Sequence, residues 1–236
     1  MAFAARLAGP EIATAVLRSC VLFKDLDEAE LSATADQLRT RRFKRNEVIY
    51  DAGDPGDSLF VIESGSVKIV LTSAEGDEAI LATLGCGDYL GELSLLDGAQ
   101  RAATAIALEP TELWALGREP FLDLVDTQPV VWLALFAGLV QKLRRLTRHV
   151  EELHFLDLSG RLTMRLVELA RQAGGPGPGA VLDWHYTQTD LASMIGGSRQ
   201  SVSRLLGDLV DKGLVRTGGD TIVIPDVEAL ARVAER

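Results

Sequence analysis

With 236 residues, 47% of them hydrophobic, the chain has the length and the apolar content for one large or two ordinary folded domains. A formal net charge of -10 speaks against a protein that coats nucleic acid over its whole surface, while leaving room for a local binding face. Cys20 and Cys86 form no CxxC and have no partnering histidine cluster, so neither a zinc site, an iron–sulfur centre nor a disulfide framework is supported, and both read as ordinary thiols.

The N-terminal stretch MAFAARLAGPEIATAVLRSC lacks an extended apolar segment followed by a cleavage site, so secretion has no support and a cytoplasmic location is expected. From Arg42 to Leu116 short β-type runs alternate with glycine turns, which predicts a barrel, roll or sandwich. Asp54-Pro55-Gly56-Asp57 and Glu75-Gly76-Asp77 carry turn chemistry, and in VKIVL the residues Val67, Ile69 and Leu71 alternate onto one face. Within GDYLGELSLLDGAQRAATAIAL, Glu92 and Arg101 stand out from mostly small and apolar neighbours.

At Pro120 the period changes. PFLDLVDTQ predicts a short helix, and the run from Pro129 to about Leu156 a long one, roughly 40 Å at ~1.5 Å per residue. Leu139, Leu143, Leu146, Val150 and Leu153 recur at alternating spacings of three and four, a coiled-coil seam that packs either on a twin chain, as a parallel homodimer, or on its own roll. The apolar VVWLALFAGLV at 130–140 is too short to span a bilayer, so no membrane association is expected. At FLDLSG the helical pattern breaks, and Asp157 or Ser159 is placed to cap a further helix, GRLTMRLVELARQA, which the glycines and prolines of GGPGPGA at 174–180 stop. Residues 1–157 carry 25 Asp and Glu against 15 Lys and Arg, whereas residues 158–236 carry 9 of each. The shift marks two domains with different partners joined by a helix: 1–128, 129–157 and 158–236.

The segment TQTDLASMIGGSRQSVSRLLGDLVDKGLV reads as one helix with Leu191, Ala192 and Ile195 inward, a Gly-Gly-Ser turn, and a second helix from Arg199. Val202, Leu205, Leu206 and Leu209 give that second helix a buried stripe, the grammar of a helix-turn-helix, although a plain helical hairpin with a polar surface shares it. The opposite face holds Arg199, Gln200, Ser203 and Arg204. In a helix-turn-helix this end enters the major groove, where Arg suits guanine and Gln suits adenine, and Ser201 and Thr189 are placed for phosphates. LVRTGGDTIVIPD then predicts a small hairpin, or wing, turning at Gly-Gly-Asp. Arg199, Arg204, Lys212 and Arg216 concentrate positive charge in this segment despite its neutral sum.

From Val21 to Val233 the order of these parts resembles the family of the cyclic-AMP receptor protein and the fumarate and nitrate reduction regulator. DAGDPGDSLFVIESGSVKI, GELSLLDGAQRAATA, FLDLSGRL and TQTDLASMIGGSRQSVSRLL carry the resemblance. It implies an α+β fold with an N-terminal β-roll of the cyclic-nucleotide-binding kind (a jelly roll), a long dimerisation helix and a C-terminal winged helix-turn-helix. It also implies a homodimeric, DNA-binding transcription regulator, not an enzyme, modulated by a cyclic nucleotide such as cyclic AMP, with a pseudo-palindromic double-stranded operator and RNA polymerase as partners.

In this family Gly91, Glu92, Leu93 and Arg101 match a phosphate-binding cassette. Arg101 would pair with the cyclic phosphate, Glu92 would accept the ribose 2′-OH, and backbone N–H groups near Gly91 to Leu93 would complete the cradle. The other reading is that Glu92 and Arg101 pair with each other across the roll. Ala102 stands where the best-known members carry a hydroxyl donor, and Leu146 and Thr147 fall at the two base-facing positions of the long helix, leaving one hydroxyl of a pair. Cyclic AMP, another nucleotide, or a vestigial pocket with effector-independent DNA binding all remain open. The cysteine cluster of iron–sulfur members is absent, and the haem-ligand position of the carbon monoxide sensor falls near Leu93, which cannot ligate iron. The resemblance carries Arg199, Gln200 and Arg204 onto the principal base-contacting positions, with Ser203 as a fourth, and Gln200 replaces a common glutamate. No nucleophile elbow, metal cluster or Walker-type loop is visible; His149, His154 and His185 are isolated, and Trp114, Trp132 and Trp184 read as core.

Overall fold

In the computed structural model, residues 10–173, 179–183, 186–218 and 221–234 are described. The chain divides into two compact units, one of residues 1–71 and 81–143, the other of residues 72–80 and 144–236.

The first unit opens with α1 (Pro10–Ser19) and α2 (Glu28–Ala35). A capping box starts α2: the Asp27 carboxylate accepts from Glu30 N at 2.8 Å, while Asp27 N donates to the Glu30 side chain at 2.9 Å. Eight short strands follow: β1 (Arg39–Phe43), β2 (Val48–Tyr50), β3 (Ser58–Ser64), β4 (Val67–Thr72), β5 (Glu78–Leu84), β6 (Tyr89–Leu90), β7 (Thr104–Ala107) and β8 (Thr111–Gly117), with α3 (Glu92–Asp97) between β6 and β7. They form two four-stranded sheets, ordered β1-β8-β3-β6 and β2-β7-β4-β5, with antiparallel pairing between neighbours of known register. This is the roll expected from the strand spacing.

Two apolar clusters fill the unit. One joins α1 and α2 to Leu59, Val61, Trp114 and Phe121; the other lies on Phe60, Ile62, Val67, Leu90, Ala105 and Leu113. Trp114 is buried and donates its indole N–H to the Glu63 carboxylate at 2.6 Å, so the polar end of the ring is satisfied within the core. Alternation along β4 departs from the expected pattern: Val67, Lys68 and Val70 are all buried and Leu71 is exposed. The last pair of β4 with β7 is Val70 with Thr104, so Leu71 lies past the end of that ladder. Position along the sheet overrides the two-residue period here.

After α4 (Arg118–Thr127), Pro129 begins α5 (Pro129–Phe155), 27 residues long. Its first turns bury Val131 and Leu135 in the core beside Phe121. Gly138 faces Tyr89, and a Cβ at that position would run into the Tyr89 hydroxyl. Gly138→Ala is therefore expected to lower stability by about 1–3 kcal/mol through overpacking. Gly207→Ala, in a helix interior with open space where a Cβ would lie, should be neutral or stabilising by up to ~1 kcal/mol. Thermal unfolding of both variants checks the contrast.

The second unit contains α6 (Leu158–Ala173), β9 (Ala180–Asp183), α7 (Gln188–Ile195), α8 (Arg199–Asp211), β10 (Arg216–Gly218), β11 (Thr221–Ile224) and α9 (Val227–Ala234). Of the two candidate caps for α6, Asp157 takes the role, its carboxylate accepting from Gly160 N at 2.8 Å. The anticipated hairpin β10–β11 is present, and β9 adds a third strand in the order β10-β11-β9. Neither β9 nor α9 is expected from the sequence pattern. Gly219 and Asp220 of the wing turn, Trp184, His185 and residues 174–178 of the glycine-proline segment lie outside the described residues. Among the described residues no single helix is long and apolar enough to cross a membrane.

Candidate functional site

The Gly91–Arg101 segment folds into a tight constellation inside the roll. Gly91 caps α3 with φ 90°, a left-handed conformation that favours glycine, and a Cβ there would collide with the Arg101 guanidinium and lie 2.9 Å from Ser58 O. Backbone bonds fix the other end: Gly53 N donates to Arg101 O and Arg101 N donates to Asp54 O, both at 2.9 Å, so the Asp-Pro-Gly-Asp loop clamps the arginine main chain.

Arg101 is only 4% exposed. Its Nη1 donates to Gly91 O and its Nη2 to Ser58 O, each at 2.7 Å, and its Nε is buried with no partner. The Tyr50 ring lies under the guanidinium, 4.4 Å from Cζ to the ring centroid, with Phe60 at 5.9 Å. Among the described residues no carboxylate pairs with this cation. The expected alternative, a Glu92–Arg101 ion pair, is not formed.

Glu92 is buried instead against α5, where Lys142 Nζ donates to its Oε1 at 2.6 Å while sitting 4.6 Å from the Tyr89 ring centroid. A buried carboxylate is stable as an anion only with such a partner. The neighbouring phenols stay protonated: burial chiefly pushes Tyr50 up to about 12, the Arg101 charge opposing and the Glu92 charge adding, and burial followed by Glu92 raises Tyr89 further. Leu93 and Ala102 are exposed. Leu146 and Thr147 lie in the second unit, both exposed on α5.

Sequence reasoning missed Lys142 and Tyr50. Lys142 is one of several cations in QKLRRLTRH, and nothing in that tract singles it out. Tyr50 ends the short run VIY, which reads only as a strand. Sequence reasoning also placed Trp132 in the core, whereas it is half exposed on α5 and packs edge-on against Phe136 at 5.5 Å. Leu133, at 67% exposure, Phe136, Leu143, Leu146, Val150 and Leu153 extend an exposed apolar surface along the same helix. Cys20 is buried, which raises its thiol to about 12, and Cys86 is exposed and donates to Glu63 O.

In the second unit α7 starts from a closed capping box, with Thr187 N donating to Asp190 Oδ2 at 2.8 Å and Asp190 N to Thr187 Oγ1 at 3.0 Å. It ends on Gly196 at φ 65°, the turn that brings α8 across it. Ser198 caps α8, accepting from Ser201 N at 3.1 Å. Leu191, Ala192 and Ile195 of α7, with Val202, Leu205, Leu206 and Leu209 of α8, are buried as the spacing requires. Thr189, Arg199, Gln200, Ser203 and Arg204 are exposed, and Ser201 is partly covered. Among the described residues the side chains of Arg199, Gln200, Ser203 and Arg204 make no hydrogen bond or ion pair, so they are presented outward together.

Residues 40–128 match the family described as Cyclic nucleotide-binding domain, and residues 160–233 match the Crp-like helix-turn-helix domain. The chain is 35% identical over 218 residues to the Cyclic AMP receptor protein of Thermus thermophilus, covering 92% of this chain and 98% of that one. It is 31% identical over 220 residues to the CRP-like cAMP-activated global transcriptional regulator of Mycobacterium tuberculosis, covering 93% and 98%. A solved structure of the c-di-GMP responsive global regulator CLP from Xanthomonas campestris superposes with a TM-score of 0.72 at 26% identity, covering 84% of this chain and 99% of that one.

Proposed function

Because the chain belongs to the CRP/FNR family of DNA-binding transcription regulators, we propose that it works as a homodimer in the cytoplasm and that a cyclic nucleotide held at Arg101 modulates its grip on a pseudo-palindromic operator. Residues 1–128 sense the effector, 129–157 form the dimer helix and hinge, and 158–236 bind DNA. The observation that carries the effector reading is Arg101, a buried cation with no carboxylate partner among the described residues and with Nε still to be satisfied. Leaving such a group without an anion is costly, and a phosphodiester supplies one. With Glu92 already neutralised by Lys142, the cassette carries one net positive charge, which suits a singly charged cyclic phosphate. Gly91, Glu92, Leu93, Arg101 and Ala102 form the proposed cassette, and Leu146 and Thr147 the proposed base contacts.

Allostery follows if the effector has different affinities for two arrangements of the dimer helices. Fluorescence anisotropy of a palindromic duplex, titrated with protein with and without cyclic AMP, tests the reading, and cyclic di-GMP is the second ligand to try. Affinity that neither nucleotide changes would reject effector control. A specific observation favours that second reading: Ala102 and Leu146 offer no hydroxyl where the resemblance expects one, so an effector-independent regulator with a vestigial pocket is the alternative.

The exposed start of α8 supports base reading by Arg199, Gln200, Ser203 and Arg204, with Ser201 and Thr189 on phosphates; RNA polymerase is the proposed protein partner. Arg204→Ala should weaken binding to the cognate operator by about 1–3 kcal/mol, roughly 5- to 150-fold, and flatten discrimination at one base pair of each half-site. Competition with single-base operator variants reads this out. A uniform loss across all sequences would assign Arg204 to phosphate instead.

A further inference from the structure

The guanidinium of Arg101 is held in three ways. Two backbone carbonyls, Ser58 O and Gly91 O, fix the direction of its terminal nitrogens within their plane. The loop bonds from Gly53 N and to Asp54 O fix its main chain. A third restraint, on the tilt of the plane, comes from β2, where the Tyr50 ring lies 4.4 Å from Cζ and is itself backed by Phe60 at 6.1 Å between centroids with an interplanar angle of 27°. An aromatic face attracts a cation through its quadrupole, and the attraction grows where water is excluded, as it is around this 4% exposed arginine. The face also supplies no hydrogen-bond acceptor, so it steadies the guanidinium without consuming Nε.

We propose that Tyr50 is a positioning residue for anion binding at Arg101: its ring, together with the two carbonyls, holds the plane in which Nε and the terminal nitrogens meet a phosphodiester. The proposal rests on the nucleotide-binding reading and concerns the ring face alone, since the hydroxyl takes no part. Tyr50→Phe keeps the face, whereas Tyr50→Leu keeps much of the bulk and removes the π system.

Cyclic AMP affinity measured by titration calorimetry should be within about twofold of the parent for Tyr50→Phe and weaker by roughly 5- to 30-fold for Tyr50→Leu. Thermal unfolding of the parent, Tyr50→Leu, Arg101→Leu and the double variant forms a cycle that needs no ligand, and the loss from Tyr50→Leu should shrink in the Arg101→Leu background. Leucine at position 50 binding cyclic AMP as well as tyrosine, phenylalanine failing as badly as leucine, or additive Tm shifts would each overturn the proposal. If the parent protein binds neither cyclic AMP nor cyclic di-GMP, the nucleotide reading fails while the unfolding cycle still decides the role of Tyr50.

Discussion

Val150→Asp is expected to turn the proposed dimer into single chains at micromolar concentration and to abolish tight operator binding. Val150 is 54% exposed on α5, in line with Leu143, Leu146 and Leu153, an apolar row that an isolated helix has no reason to show water. In a parallel pair related by a twofold axis, position 150 meets its own copy, so one substitution places two carboxylates in the seam. Desolvating them, or holding them apart, should weaken dimerisation by about a thousandfold or more, ~4 kcal/mol. Operator affinity should fall with it, because a lone recognition helix reads only one half-site. Sedimentation velocity gives the first result and anisotropy the second. A variant that still sediments as a dimer would move the interface off this face.

The second large effect belongs to Arg101→Leu. Hydrogen bonds to charged groups contribute about 1.5–3 kcal/mol, and a guanidinium makes more than one to a phosphate, so cyclic AMP affinity should drop about a hundredfold or more. Stability should also fall, by ~1–3 kcal/mol for each carbonyl stranded, since Ser58 O and Gly91 O lose their charged donor. The decisive readout is therefore ligand-induced: under the proposed reading cyclic AMP should raise the Tm of the parent by mass action and leave that of Arg101→Leu unmoved. Arg101→Lys should fall between the two, because an ammonium keeps the charge and loses the planar fork. An equal ligand-induced shift in Arg101→Leu would show that the phosphate sits elsewhere.

Much of this architecture is legible in the sequence because periodicity encodes which face is buried. The stripe Val202, Leu205, Leu206 and Leu209 locates α8 against α7, Pro129 and the break at FLDLSG bracket α5, and glycine turns separate the strands. Partners distant along the chain are a different matter. Lys142 reaches Glu92 across 50 positions, and Tyr50 meets Arg101 only once β2 and the cassette have closed on each other. Neither contact leaves a periodic trace. The same limit explains why Glu92 and Arg101 invite pairing with each other on paper: opposite charges in one short run look complementary, but the roll gives each a separate environment. Edge elements such as β9 and α9 escape for a related reason, since a four-residue strand and an eight-residue helix are too short for their pattern to stand out.

The way α7 begins and ends bears on how quickly the protein finds its target. Thr187 and Asp190 close one end of that helix and Gly196 the other, while Ser198 secures the start of α8. The backbone of the reading surface is therefore held by caps at both helices, and the ordering left for the encounter is that of the exposed Arg199, Gln200 and Arg204 side chains. Capture of duplex is then governed by diffusion and by the pull of phosphates on nearby guanidinium groups, which lets a regulator sample many wrong sequences briefly before it stays on a right one.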